Sequence, residues 1–594
     1  MEISRREALR RVLIGGAALA TGLGLSGCGD SSSSAQSEND LIVLNAKIFT
    51  SNTNYPWAET LAVKDGRLIY VGDTETLKAL NITAKKYLDA EGRTIIPGFV
   101  DNHCHVVWMG AMAGIMNMEP FQAQSLEDLK EMMTRYASAH PELPFIIGLG
   151  WTYSYIPGGM PTKEMADEIL LDRPLVLWSS GGQTGWVNTQ MLSRMMEKNP
   201  QAYQSLIPRL DANNQPTGVF MNFVSFNFLD FFTEEELTAD IYTSMAAGVE
   251  QILAEGITRG VTTYNDIQLY KTFLPFLIQY SEQGLFKNLR LRGSYYVSQV
   301  SLKDEAQLKQ DLTEWIAYSV YNSQQLKLGD SVKLYIDGVG GSHTSFLLEP
   351  YADKPDEYGT PFWTQEDFNK ACRLIDGMGL QLCTHANGGA GQRRIINSYE
   401  YVSYQNSAWD ARHRIEHCEL PHPDDWARMG DLGIHGAVQP SHVFDVSQEY
   451  VDLYGIERVQ RFMPWKSMVD NGVPLSFGSD WSAAPVNPLP GLFMAKYRLT
   501  LMGEPWGTND DSLDMDQAVR AYTLGSAIDL KMEAEIGSLE IGKCADFVIL
   551  KEDIFADNWP TWFDPTTFDP FTDFNDKIFM TVFNGEAVFE EETT

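Results

Sequence analysis

From about residue 235 to 480 the chain repeats one unit, a helical pattern followed by a short apolar run. "EELTADIYTSMAAGVEQILAEG" precedes "VTTYND", "KDEAQLKQDLTEWIAYSV" precedes "SVKLYIDG", and "TQEDFNKACRLIDGMG" precedes "LQLCTHA". "HRIEHCE", "GIHGAVQP" and "VPLSFGSD" continue the series. Helix then strand at this spacing implies a parallel sheet, because parallel neighbours need a crossover and the crossover is right-handed. Enough units recur for an α/β architecture closed as an eight-stranded (β/α)8 barrel of the TIM type. An open doubly wound sheet fits less well, since no glycine-rich phosphate fingerprint follows an early strand.

The apolar runs end on a restricted set of polar residues. "IIPGFVDNHCH" carries His103 and His105, and Lys333, His385, His417 and Asp480 each lie near the end of a later run. Histidines at i and i+2 of a strand face the same side, since strand side chains alternate. Imidazoles and a carboxylate arriving on successive strands build a metal site at one mouth of a barrel. Such a donor set suits a divalent ion, with zinc the best match, and a bound cation lowers the pKa of its water to about 7. That points to hydrolytic chemistry, with Asp480 able to take a proton and return it to a leaving group. Lys333 is the odd member: as a cation it repels metal, and only its carbamate could bind. The structural alternative for Lys333 is an ion pair with Asp337 or Glu349. Cys104, Cys383 and Cys418 sit beside proposed ligands, so alternation turns them to the opposite face as small packing residues.

At 594 residues the chain exceeds one ordinary core. Residues 40–97 alternate apolar and polar positions, with Asp65-Gly66 as a tight-turn signal, and the same texture returns over 531–594 with Asn584-Gly585. Two β-rich ends around a long middle suggest one composite β-sandwich built from both termini. The barrel then occupies 98–530. Residues 108–230, rich in aromatics, Pro and Gly, interrupt the alternation and read as an insertion over the barrel mouth; Trp108, Trp151, Tyr153 and Trp186 are its candidates for an apolar pocket wall.

The first residues read as an address rather than as fold. Arg5 and Arg6 precede an Ala/Gly/Leu-rich stretch that is short for a membrane span. The stretch ends in "LSGC", which resembles a bacterial lipobox with Cys28 as the lipidation site. Residues 1–27 are therefore expected to be a twin-arginine lipoprotein signal and 28–39 a Ser-rich tether. The expected location is a bacterial membrane, lipid-anchored and facing the periplasm or the cell exterior. Residues 1–27 hold four arginines and two glutamates, which leaves 41 Lys and Arg against 77 Asp and Glu, a net charge of −36. Such a surface repels nucleic acid and anionic headgroups, so membrane contact would come from the acyl chains alone. A small-molecule substrate is the partner expected, and a homo-oligomer is compatible with the sequence.

Beyond these patterns, "PGFVDNHCH", "VKLYIDGVGGSHT", "THANGG", "RIEHCE", "QPSH", "FGSDW" and "EIGSLEIGKCADFVIL" occur in the order found in the amidohydrolase superfamily. The chain most resembles the subgroup that includes N-substituted formamide deformylases, from about residue 40 to 590. The resemblance implies a barrel holding one or two divalent metals beside a composite sandwich. It makes His103, His105, His385, His417 and Asp480 ligands, and makes Lys333 the fourth-strand lysine, often an N6-carboxylysine bridging two metals. His442 of "QPSH" is then read as a substrate or oxyanion contact acting with Asp480 in catalysis. Gln183, Trp151, Asn222 and His343 are candidate substrate contacts. Three positions depart from the subgroup: Gln183 replaces a histidine, Asn222 a frequent glutamate, and Gly389 an aspartate. All three are expected near the substrate and not among the ligands. The reading is hydrolysis of an amide, formamide or cyclic amide C–N bond. The rivals are a mononuclear heterocycle deaminase and a catalytically silent substrate-binding or sensor lipoprotein.

Overall fold

The computed structural model describes residues 39–591 apart from 181, 183, 207, 222–226, 234, 299–303, 446–447, 500–510, 565 and 570–571. Cys28, Gln183 and Asn222 lie outside the described residues. No helix among them is long and apolar enough to cross a membrane.

Eight parallel strands form the centre: β1 (Phe99–Cys104), β2 (Val261–Leu269), β3 (Arg290–Tyr296), β4 (Ser331–Tyr335), β5 (Gln381–Ala386), β6 (Arg414–His417), β7 (His435–Val438) and β8 (Leu475–Phe477). They neighbour one another in sequence order. Every residue of these strands is buried, which is why they read as apolar runs rather than as alternating ones. β8 returns to β1 through the segment just past its end, where the Asp480 N–H donates to the His103 carbonyl at 2.6 Å and the His105 N–H to the Trp481 carbonyl at 2.9 Å. Gly478 permits that approach, since a Cβ there would lie 2.4 Å from the His103 nitrogen. The sheet is thus a nearly closed barrel and not an open doubly wound one. Helices such as Gln365–Gly377 and Gly389–Gln405 make the crossovers and pack against each other outside it.

Two further sheets face each other beside the barrel. One orders Arg67–Gly72, Thr60–Lys64, Asn39–Leu44 and Ala84–Asp89. The other joins C-terminal strands Glu586–Glu590, Ile578–Phe583 and Phe547–Leu550 to N-terminal strands Thr94–Pro97, Lys47–Phe49 and Trp57–Ala58. Leu41, Val43, Ile95, Phe547 and Val582 fill the space between them. Asp65-Gly66 and Asn584-Gly585 each close a two-residue hairpin with both residues at positive φ.

Between β1 and β2 the chain builds a five-stranded sheet spanning 146–220, ordered Pro208–Leu210, Pro216–Phe220, Gly185–Val187, Leu175–Ser179 and Ile146–Trp151. The long helix Ala239–Thr258 then leads back into the barrel, packed on the short helix Trp108–Ala113.

Candidate metal centre

All six polar strand-end residues meet at the carboxyl ends of the barrel strands. His103 ends β1, and its Nδ1 lies 2.6 Å from Glu416 Oε2. Glutamate can only accept here, so His103 carries its proton on Nδ1 and leaves Nε2 as a lone pair. That Nε2 is buried without a hydrogen-bond partner, 3.3 Å from Asp480 Oδ1. His105 Nε2 lies 3.0 Å from the same oxygen. His385 at the end of β5 directs Nε2 to the Gly338 carbonyl at 3.2 Å, which leaves its Nδ1 as the lone pair. The His385 and His417 rings are 4.5 Å apart, and those of His417 and His103 4.8 Å.

Backbone conformation brings the last two members into place. His417 and Asp480 have φ of +76° and +53°, a left-handed conformation that costs a non-glycine residue about 1–2 kcal/mol. Strand alternation ends at these positions, so the side chains turn into the mouth rather than following the pleat. His442, after β7, stacks on His417 at 6.1 Å, with its Nε2 3.6 Å from Asp480 Oδ2. Two donor groups result, His103–His105–Asp480 and His417–His442–Asp480, each with its donor atoms within 4.8 Å of one another. Asp480 belongs to both. Position therefore makes His442 a member of a metal-capable cluster as well as a cavity residue.

Electrostatics favours the forms that bind cations. Burial lowers His385 to about 3 and depresses His103 and His417, keeping these imidazoles neutral. Burial opposes ionisation of Asp480, but the imidazoles around it outweigh that and hold it well below the usual carboxylate range. Burial pushes Lys333 down to about 8. Its Nζ has no hydrogen-bond partner and lies 4.8 Å over the Tyr335 ring. The ion pair with Asp337 weighed from the sequence does not form, because Asp337 accepts the N–H groups of Phe346, Asn387 and Gly388. The orphaned, buried Nε2 of His103, with its proton held on Nδ1 by Glu416, is the lone pair that a site built around a cation presents. The donor set of neutral imidazoles with one carboxylate fits zinc or a similar divalent ion.

Under the ligands lies a network that strand reading missed. Arg414, fully buried in β6, donates to both oxygens of Glu416 at 2.6 and 2.9 Å and to Asn102 Oδ1 at 2.7 Å. Glu416 in turn orients His103, the carboxylate–histidine arrangement that sets the tautomer of a ligating imidazole. Asn102 continues to Asp529, which also pairs with His435. Asp101, two residues before His103, accepts Ser479 Oγ at 2.6 Å and the Ser479 N–H at 2.9 Å, tying β1 to the turn that presents Asp480. Burial raises its carboxyl to about 7. The signal was present: Arg414 and Glu416 are an oppositely charged i, i+2 pair inside an apolar strand.

The mouth opens into a cavity of about 730 Å³ lined by His105, His385, His417, His442 and Asp480, with Trp108, Tyr153 and Asn387 among its other walls. Trp151 is corrected from substrate contact to core. It is fully buried, packs on Trp186, and donates its indole N–H to the Leu177 carbonyl, while its neighbours Thr152 and Tyr153 face the cavity. His343 is also corrected: its Nε2 pairs with Asp353 at 2.8 Å and the residue lies outside the cavity lining. Gly389 starts the helix after β5, against the Leu420 carbonyl and a separate surface depression, so its departure adds nothing to the cavity wall. Cys104, Cys383 and Cys418 are buried free thiols that donate to Asn265, Gln381 and Ile415.

A parallel barrel with imidazoles and a carboxylate at its carboxyl mouth defines a metal-dependent hydrolase. The model of the amidohydrolase family matches residues 86–589, and the chain belongs to that family. It is 28% identical over 529 residues to the protein LONG AFTER FAR-RED 3 of Arabidopsis thaliana, covering 86% of this chain and 87% of the relative. It is 23% identical over 532 residues to an N-substituted formamide deformylase of Arthrobacter pascens, covering 86% and 94%. An uncharacterized metal-dependent hydrolase of Pyrococcus horikoshii shares the fold with a TM-score of 0.67 at 23% identity, over 87% of this chain and 98% of that one.

Proposed function

We propose that the chain hydrolyses the C–N bond of a small amide, with N-substituted formamides first among candidates. The observation that carries this reading is the convergence of His105, His385, His417, His442 and Asp480 on one cavity. The formamide choice draws on the Arthrobacter pascens relative, which is similar over most of both chains. A bound divalent cation would be held by His103, His105, His385, His417 and Asp480, and supplies an acidified water together with positive charge for a carbonyl oxygen. Asp480 Oδ2 takes the water's proton and returns it to the departing nitrogen, which leaves as an amine. We assign His442, whose Nε2 lies 3.6 Å from Asp480 Oδ2, to the oxyanion as a donor and not to the cation as a ligand. A panel of N-formyl, N-acyl and cyclic amides on metal-replete protein tests the reading; no cleavage at full metal content would sink it.

Lys333 carries the same proposal one step further: carboxylated at Nζ, it would offer carboxylate oxygens and would help hold a second cation. In support, Nζ is buried without a partner and burial increases its neutral fraction, the form that reacts with CO₂. The peptide containing Lys333 is then expected to carry the mass of one CO₂ under native conditions, and Lys333→Met to bind one metal equivalent instead of two. An unmodified lysine with two equivalents bound would exclude that role.

We also propose export and lipid attachment at Cys28, supported by Arg5, Arg6, the apolar stretch and "LSGC". Labelled palmitate should enter the wild-type protein and not Cys28→Ala, and the variant should leave the membrane fraction. Equal labelling of both would refute the anchor.

A further inference from the structure

We propose that the cavity selects substrates by charge: the part of the amide that does not react is an aromatic group that is uncharged or cationic, and carboxylate-bearing substrates are excluded. The inference rests on the amide-hydrolase reading and names the substrate class of that site.

Part of the cavity wall is aromatic. Trp108, Tyr153 and Trp178 come from the segment between β1 and β2, Tyr450 comes from the β7–β8 connection, and Leu149 and Met109 fill between them. A flat ring group of the substrate buries its faces here. Among the described lining residues there is no lysine or arginine, whereas Glu419 and Asp480 both contribute carboxylates. Two described basic residues on the neighbouring connections are engaged elsewhere. Lys271, just after β2, pairs with Asp311 at 2.7 Å and Glu314 at 2.8 Å. Arg458 donates to the Glu349 and Pro350 carbonyls at 3.0 and 2.7 Å. Lys333 is buried outside the cavity lining. Away from the cation site a carboxylate would therefore lose water and find no lysine or arginine among the described walls, with Glu419, 4.0 Å from His442 Nδ1, adding repulsion. An ammonium meets ring faces and a carboxylate instead.

The reaction's own products fit the same field. Water adds to the carbonyl carbon, the C–N bond breaks, and the nitrogen leaves with a proton as an amine that becomes ammonium at neutral pH. The amine half suits the aromatic, acidic wall. The carboxylate half has no lysine or arginine among the described walls to retain it.

Three phenylalkyl formamides with the same scissile bond provide the test on metal-replete protein: the parent, its para-carboxylate and its para-aminomethyl analogue. The expected kcat/KM for the carboxylate is at least about tenfold below the parent, with the aminomethyl compound at or above the parent. Glu419→Gln should narrow the aminomethyl-to-carboxylate ratio by about tenfold. The matching phenylalkyl ureas, followed by tryptophan fluorescence, report binding without turnover and should follow the same order. A carboxylate urea that binds as tightly as the parent urea, or a carboxylate formamide cleaved as fast, overturns the inference. If no formamide is cleaved but the ureas bind in the expected order, the formamide reading fails and the charge selection stands.

Discussion

Asp480→Asn is expected to lower kcat by about 10³–10⁴-fold while metal content falls by no more than about tenfold. Asparagine keeps the shape and one oxygen donor, so the left-handed turn and its N–H bond to the His103 carbonyl persist. It cannot hold a proton at the oxygen that lies 3.6 Å from His442 Nε2, so the route from water to departing nitrogen is lost. Rate measurements on samples of known metal content separate the two effects. Unchanged turnover would remove Asp480 as the proton carrier, and complete loss of metal would make it a ligand first.

Arg414→Met is expected to cost about 3–5 kcal/mol of stability, read as a large drop in the thermal midpoint. The variant leaves Glu416 buried with one partner, His103, where it had Arg414 on both oxygens. Burial opposes ionisation of Glu416, and Arg414 outweighs it, so the folded carboxyl lies well below its ordinary range. A depressed carboxyl stabilises the fold above its unfolded pKa of about 4.3, and that contribution fades as pH falls toward the folded value. The difference between wild type and variant should therefore be full near neutrality and shrink in acid. Glu416→Gln is the gentler companion. It keeps an acceptor for the His103 N–H, folds, and should weaken metal binding by about 10–100-fold through the loosened imidazole. Metal affinity equal to wild type would show that His103 needs no support from below.

Much of the barrel was legible because it rests on local signals. Runs such as "SVKLYIDG" and "LQLCTHA" are strands buried on both faces, and the helical pattern between them requires crossovers. Asp65-Gly66 and Asn584-Gly585 announce hairpins because only a few residue types tolerate two consecutive positive φ angles. The strand-end positions of His103, His385 and His417 could be read the same way. Side-chain direction in irregular segments could not. Trp151 and Tyr153 are two apart in one aromatic stretch, yet the first is core and the second cavity wall. His343 sits in a loop beside the site and turns to Asp353. Neither choice follows from a period, since each depends on a partner distant in sequence or on a loop's path.

The alternation of helix and strand, the turn dipeptides and the polar residues at strand ends determined that this chain makes a parallel barrel with metal-capable chemistry at one mouth. Those are local properties, set by backbone periodicity and side-chain type. Only the tertiary structure decided that β8 would meet β1 closely enough for Asp480 to face His103, His105 and His442 together. It alone decided that Arg414 and Glu416 would brace His103 from below, and that the cavity would carry carboxylates and aromatic rings without a lysine or arginine among its described walls. These are contacts across hundreds of residues, and their energies come from burial and pairing, which no stretch of sequence holds by itself.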